Sequence, residues 1–181
     1  MKKYTCTIKF TAPYLQARFS MDAKKELVQD TKKTILKKKE DDSWKNLSYQ
    51  DEIGFYIPAL QLEGAFIASG KDFKMKAKRS SLSGWIKASL FADVEKFYLN
   101  KKEPDFINES FPKRKDGNRV RILHPAFNAG TQFTFTMQCL DDEIEDGLVQ
   151  KLLENAGLRY GLGAWRPRHG RFEVVSVKED I

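Results

Sequence analysis

The sequence predicts an α+β domain with elements in the order β-α-β-β-α-β, and three observations predict it. Two runs alternate strictly: Tyr4, Cys6, Ile8 and Phe10 share one face of Tyr4–Thr11, and Phe133, Phe135, Met137 and Cys139 share one face of Gln132–Cys139. That is the period of a half-buried strand. Two other runs carry helical spacing, Leu62, Ala65, Phe66 and Ser69 in the first and Ile144, Leu148, Leu152 and Ala156 in the second. A glycine-rich stretch, Gly157 to Gly170, then leads into a closing strand, Phe172–Val177. The resulting order is ferredoxin-like, or RRM-like. At 181 residues, 41% hydrophobic and 31% charged, the chain is long enough for one sizeable core, and we expect one domain over 1–181.

In chain order, Pro13 ends the first strand, and Tyr14 to Arg18 leaves the sheet. The composition then changes. Lys24, Lys25, Lys32, Lys33, Lys37, Lys38 and Lys39 accompany only Leu27, Val28, Ile35 and Leu36, which predicts a basic insertion at about residues 20–50. Its apolar stripe is too thin for firm anchoring, so it is expected to be a helix standing away from the core and ordering on a ligand. The bland alternative is a solvated lysine face. Asp41-Asp42-Ser43-Trp44 reads as a turn back to the core, and Phe55–Ile57 as a short apolar entry to the first helix.

Pro58 suits the first helical position, Gly64 a close contact, and Gly70 a stop. After the basic run Lys71, Lys74, Lys76, Lys78 and Arg79, the stretches Gly84–Ala92 and Val94–Leu99 mix β-branched and aromatic residues and are expected as strands. Pro104–Arg114 is expected to be irregular and Arg119–Leu123 a basic strand. Asp141 onward opens the last helix with acids in its first turn, and Gly157 reads as its C-terminal cap.

A net charge of +7 and a pI near 9.3 favour a polyanionic partner, nucleic acid first and an anionic membrane surface second. Cys6 and Cys139 lie inside strand-like runs and read as core residues in a reducing compartment. Cys-x-x-Cys and His-Glu-x-x-His spacings are absent, so neither metal nor cofactor is expected. No run reaches the roughly 18 apolar residues of a membrane span, and a cytoplasmic protein is expected.

Between its glycines the loop carries Arg159, Arg166, Arg168 and Arg171, with Tyr160, Trp165 and His169 interleaved and no acid from Gly157 to Phe172. Exposed amides, guanidinium groups and flat rings suit a phosphate backbone with splayed bases. Candidate RNA-binding residues are therefore Arg159, Tyr160, Gly161, Gly163, Trp165, Arg166, Arg168, His169 and Arg171 in the loop. Lys24, Lys25, Lys32 and Lys33 in the insertion join them, with Arg18, Lys71, Lys74, Lys78, Arg79, Arg119 and Arg121 elsewhere.

Two motifs add a family resemblance. Ile57-Pro58-Ala59-Leu60-Gln61-Leu62-Glu63-Gly64-Ala65 is similar to an Ile-Pro-x-x-x-Leu-x-Gly-Ala helix start, and Gly161 to Phe172 is similar to a glycine-rich loop before a last strand. With the element order, they resemble the RAMP superfamily of CRISPR-associated RNA-binding proteins. The small size and basic insertion look most like an effector backbone subunit, and to a lesser degree a lone phage-encoded member. The resemblance implies copies polymerising head to tail along a guide RNA, as in a CRISPR-like ribonucleoprotein of antiviral defence. It implies a complementary target nucleic acid as a further partner, with the insertion as the family's thumb, in a bacterial or phage-infected cell. The chain departs from the family where Phe66-Ile67-Ala68 is apolar and the basic run comes later.

Catalysis finds little support. Residues 1–123 hold no histidine, so the histidine that some relatives use on or near the first helix to cut RNA has no counterpart. His124 reads as structural, and His169 has no second acid–base group fixed beside it. Asp30, Asp41 and Asp42 are available in the insertion, but no motif selects one. The reading leans to binding without catalysis, against the alternatives of a RAMP-type ribonuclease and a phage single-strand-binding protein.

Overall fold

Strand β1 (Lys2–Phe10) is an inner strand of the main four-stranded sheet. In the computed structural model of the chain, residues 1–18, 42–74, 80–113, 115–141, 145 and 147–180 are described. β1 pairs antiparallel with β8 (Gln132–Cys139) on one side and β9 (Phe172–Asp180) on the other. A short strand, β4 (Leu90–Ala92), adds antiparallel to β8, giving the order β4-β8-β1-β9. The residues that alternate in the sequence face inward: Tyr4, Cys6, Ile8 and Phe10 meet Phe133, Phe135, Met137 and Cys139 in one core.

Helix α1 (Ala59–Ser69) covers this face with Leu62, Ala65 and Phe66, and helix α3 (Leu148–Asn155) with Val149, Leu152 and Leu153. The Ser69 hydroxyl ties the two helices by donating to the Leu152 carbonyl at 2.8 Å. The fold is thus a mixed α+β one with antiparallel sheets, consistent with the ferredoxin-like expectation.

Beyond this sheet stands a second one, β2 (Tyr14–Leu15), β7 (Ile122–Phe127) and β6 (Phe106–Ser110), in the order β2-β7-β6. A ladder of rings carries the core across to it. Phe10 stacks on Tyr14 with centroids 5.0 Å apart, Tyr14 on Phe127 at 6.0 Å, and Phe127 meets Phe55 edge-on at 5.2 Å. A two-stranded ribbon, β3 (Tyr56–Pro58) with β5 (Lys96–Tyr98), delivers the chain to α1.

Several expectations need correction. Ser83–Ser89 is a helix, α2, and only Leu90–Ala92 of the expected strand is extended. Ile86 buries in the core and the Trp85 indole N–H donates to Asp141 at 3.0 Å, so packing sets the helix where the short apolar run is ambiguous by period. Phe106–Ser110, expected irregular, is a strand because β7 supplies its partner. The expected strand at Arg119–Leu123 begins only at Ile122.

Pro58 caps α1 from outside rather than opening it. Gly64 makes no close contact, because a Cβ there meets nothing within 4 Å. The last helix, in its described part, starts at Leu148 behind Gly147 with no acid in its first turn; residues 142–144 and 146, with most of the expected acids, lie outside the described residues. Gly157 is no cap: the helix runs on through a π-helical turn, Ala156–Tyr160, in which a Cβ on Gly157 would strike Phe172.

Candidate nucleic-acid interface

The outer face of the main sheet does not provide aromatic stacking positions on its central strands. Lys3, Thr5, Thr7 and Lys9 of β1 lie beside Thr134, Thr136 and Gln138 of β8. Thr7 and Thr134 hydroxyls meet at 2.9 Å, Thr5 donates to Asp180 at 2.7 Å, and Lys3 and Lys9 pair with Asp93 and Glu173. On this face the exposed ring is Phe91, on the edge strand β4 opposite Gln138, and among the described residues β1 and β8 offer none for a base.

The glycine-rich loop is different. Its ends close on each other through Leu162 N–H to the Gly170 carbonyl, 2.9 Å, and it is pinned to the chain leaving β1. Gly170 N–H donates to Pro13 and Ala164 N–H to Leu15, both at 2.8 Å. Gly163 has φ +78°, and a Cβ would collide with the Leu15 carbonyl and the Tyr14 ring, so only glycine fits this approach. These four main-chain groups are turned inward and the Leu162 side chain is buried, while Arg166, Pro167, Arg168 and Arg171 stay exposed. Of the features expected in the loop, the guanidinium groups face solvent, whereas the Leu162, Ala164, His169 and Gly170 amides are bonded within the protein.

Trp165 projects at the tip with φ +56° and 47% exposure. Its indole N–H donates to His124 Nε2 at 3.1 Å, and His124 Nδ1 meets the Gln16 carbonyl at 3.0 Å. Gln16 is fully buried; its amide donates to the Tyr56 carbonyl at 2.9 Å and accepts from Tyr49 N–H at 2.7 Å. One chain of hydrogen bonds thus ties the loop to β7 and to the segment that returns from the insertion. Arg18, exposed, closes the neck of that insertion by donating its N–H to the Leu47 carbonyl at 2.8 Å.

Arg159 and Tyr160 face an acid that the local sequence lacks. Asp72 accepts from Asn155 at 2.9 Å and from the Tyr160 hydroxyl at 3.1 Å. The Asn155 bond, then those of Tyr160 and the charge of Arg159, hold Asp72 below the ordinary carboxylate range, against the opposing effect of burial. Burial, then the Asp72 bond, pushes the Tyr160 hydroxyl up. Lys71 and Lys74 are exposed near this cluster in sequence; Lys24, Lys25, Lys32, Lys33, Lys78 and Arg79 lie outside the described residues.

Arg119 and Arg121 stand apart from the loop, on the connection between β6 and β7. Arg121 pairs with Glu109, and Arg119 reaches the Phe111 carbonyl at 3.5 Å. The same tip exposes Lys113, Lys115 and the ring of Phe111, which the sequence reading passed over. Asp116-Gly117, with Gly117 at φ +88°, was the available signal: an Asp-Gly pair between strands marks a hairpin turn.

Both histidines are near this site. His124 has both ring nitrogens engaged, and its pKa is lowered, first by burial and then by His169, against the bond to Gln16. His169 is lowered by burial and by Arg168, and among the described residues its buried Nδ1 has no hydrogen-bond partner. Among the described residues no three His, Cys, Asp or Glu side chains cluster to hold a metal, and no helix is long and apolar enough to cross a membrane.

No family model matches the chain, and no curated protein matches it in sequence. Its fold is similar to that of a chain in a solved type III-B Cmr-beta structure. A chain of the type III-B Cmr-beta complex bound to cognate target RNA, solved by cryo-electron microscopy, superposes with a TM-score of 0.59 at 14% identity. The match covers 98% of this chain and 60% of that one, so this chain spans about three fifths of its neighbour's length. A chain of a type IV-B CRISPR complex matches with a TM-score of 0.46 at 10% identity, over 98% of this chain and 90% of that one.

Proposed function

We propose that this chain is a RAMP-type, CRISPR-associated RNA-binding subunit whose copies line up head to tail along a guide-like RNA. The observation that carries the reading is the pinned loop: its main chain is bonded inward at Pro13, Leu15 and Gly170, leaving Arg166, Arg168 and Trp165 exposed beside the neck of a lysine-rich insertion. Cations on a pinned main chain contact phosphates without a backbone ordering cost, only their own side chains having to settle, and an exposed indole stacks on a base. The fold shared with a subunit of a type III-B complex supports the same reading. In it, the loop holds the RNA backbone, the exposed basic hairpin tip at Lys113–Arg121 adds a second contact, and a complementary strand is the further partner.

The test is RNA binding across a salt series. Arg166→Ala with Arg168→Ala is expected to weaken binding and to reduce the salt slope by roughly one unit per lost phosphate contact, about two at most. A folded double mutant with unchanged affinity and slope overturns the assignment.

A further inference from the structure

Trp165 is the one residue of the loop tip whose backbone and ring are both held. A non-glycine residue at φ +56° is uncommon and persists where its surroundings impose it. Here the Trp165 carbonyl accepts from His169 N–H at 3.1 Å and the indole N–H donates to His124 Nε2. A carbonyl can only accept and an indole N–H can only donate, so the two contacts dictate the tautomer of His124. The proton sits on Nδ1, toward Gln16, and the lone pair on Nε2, toward Trp165. The ring is 5% exposed and Gln16 fully buried, so neither has room to turn to water. A second proton on His124 would set two N–H groups against each other and remove the acceptor that the indole has among the described residues.

We propose that His124 is the positioning residue for Trp165, holding the indole in its neutral Nδ1–H form as a stacking platform for an unpaired base of single-stranded nucleic acid, so that binding weakens when His124 takes up a proton. This rests on the loop being the nucleic-acid interface. Among the described residues, the titratable group acting on His124 is His169 from the same loop, on which Arg168 acts in turn. Across the ladder from His124 stands the neutral Asn108 of β6, and from the β2 side the neutral Gln16. Both histidines are shifted downward, so the proton arrives below the ordinary histidine value of about 6.5. The sign is diagnostic. Acidification makes a protein more positive and ordinarily tightens its hold on a polyanion; His124 acts the other way.

Two measurements test this on the whole chain. The first follows the Trp165 indole N–H by NMR on 15N-labelled protein, identified by its loss in Trp165→Phe, from about pH 8 to about pH 5. It needs no nucleic acid. The resonance is expected to move with the titration of His124 and to stay fixed in His124→Gln, whose amide oxygen accepts but takes no proton. The second measures the affinity of a fluorescent oligouridylate RNA over the same range at constant ionic strength.

Wild-type affinity should fall about fivefold on acidification, the worth of one hydrogen bond. His124→Leu should show that loss at every pH, His124→Gln should recover the affinity and flatten the profile, and His169→Gln should retain the fall. In Trp165→Phe, His124→Leu should add nothing. Affinity that tightens steadily on acidification, an indole resonance indifferent to His124, or independent losses from the two positions overturn the proposal. Should Arg166→Ala with Arg168→Ala leave binding intact, the loop reading fails; the indole titration then still reports the His124–Trp165 coupling by itself.

Discussion

At Gly163 a Cβ would run into the Leu15 carbonyl and the Tyr14 ring at φ +78°, whereas at Gly64 it would meet nothing within 4 Å on an exposed turn of α1. The same residue type therefore answers opposite changes. Gly163→Ala is expected to cost about 2–4 kcal/mol, from left-handed strain plus a backbone collision. Gly64→Ala should stabilise by about 0.5–1 kcal/mol, since glycine lowers helix stability without serving a contact there. Thermal unfolding of the two variants checks this, and shifts of one sign would contradict it. His124 offers a pH test of stability on the same footing. Its folded pKa is depressed, so its contribution is present above the unfolded value of about 6.5 and is lost as pH falls through the folded one. The wild-type melting temperature should drop over that acid window, and more steeply than that of His124→Gln.

Among the elements, the β6–β7 hairpin shows how a weak strand acquires a partner. Phe106-Ile-Asn-Glu-Ser110 has little strand pattern, but its antiparallel register with β7 builds a two-stranded arm. Five of the nine residues from Lys113 to Arg121 are basic and one is acidic, and the described ones are exposed except for Val120. Lys113→Ala, Lys115→Ala and Arg119→Ala together should leave the melting temperature nearly unchanged, because exposed side chains away from the core contribute little to stability. They should weaken RNA binding evenly across sequences and lower the salt slope by about three units at most. An unchanged slope would return the hairpin to a solubility role.

For the molecule as a whole, the proposed function has each small domain cover only a few nucleotides and join the next by a head-to-tail contact, which builds a filament when it does not close. Mass measurement on RNAs of increasing length is expected to give a stoichiometry that rises in steps. One protein per RNA at every length would favour a monomer on a short site. Removing residues 20–41, between the described neck residue Arg18 and the turn at Asp42–Leu47, should abolish the stepwise assembly if the insertion reaches the neighbour.

What the sequence by itself determined is whatever has a local period. Burial on one face of β1 and β8 writes itself as alternation, and the inward face of α1 as Leu62, Ala65, Phe66 and Ser69, because one backbone geometry generates each repeat. The glycine-arginine loop was legible for a similar reason: its glycines and cations are contiguous. Tertiary structure alone decided the rest. The seven residues of α2 are too few for a period to distinguish helix from strand, and burial of Ile86 chose between them. Asp72 stands 88 positions before Tyr160, and His124 41 positions before Trp165, yet each pair shares a hydrogen bond. Such contacts leave no pattern along the chain, since they arise where packing brings distant segments together and a buried polar group must find a partner.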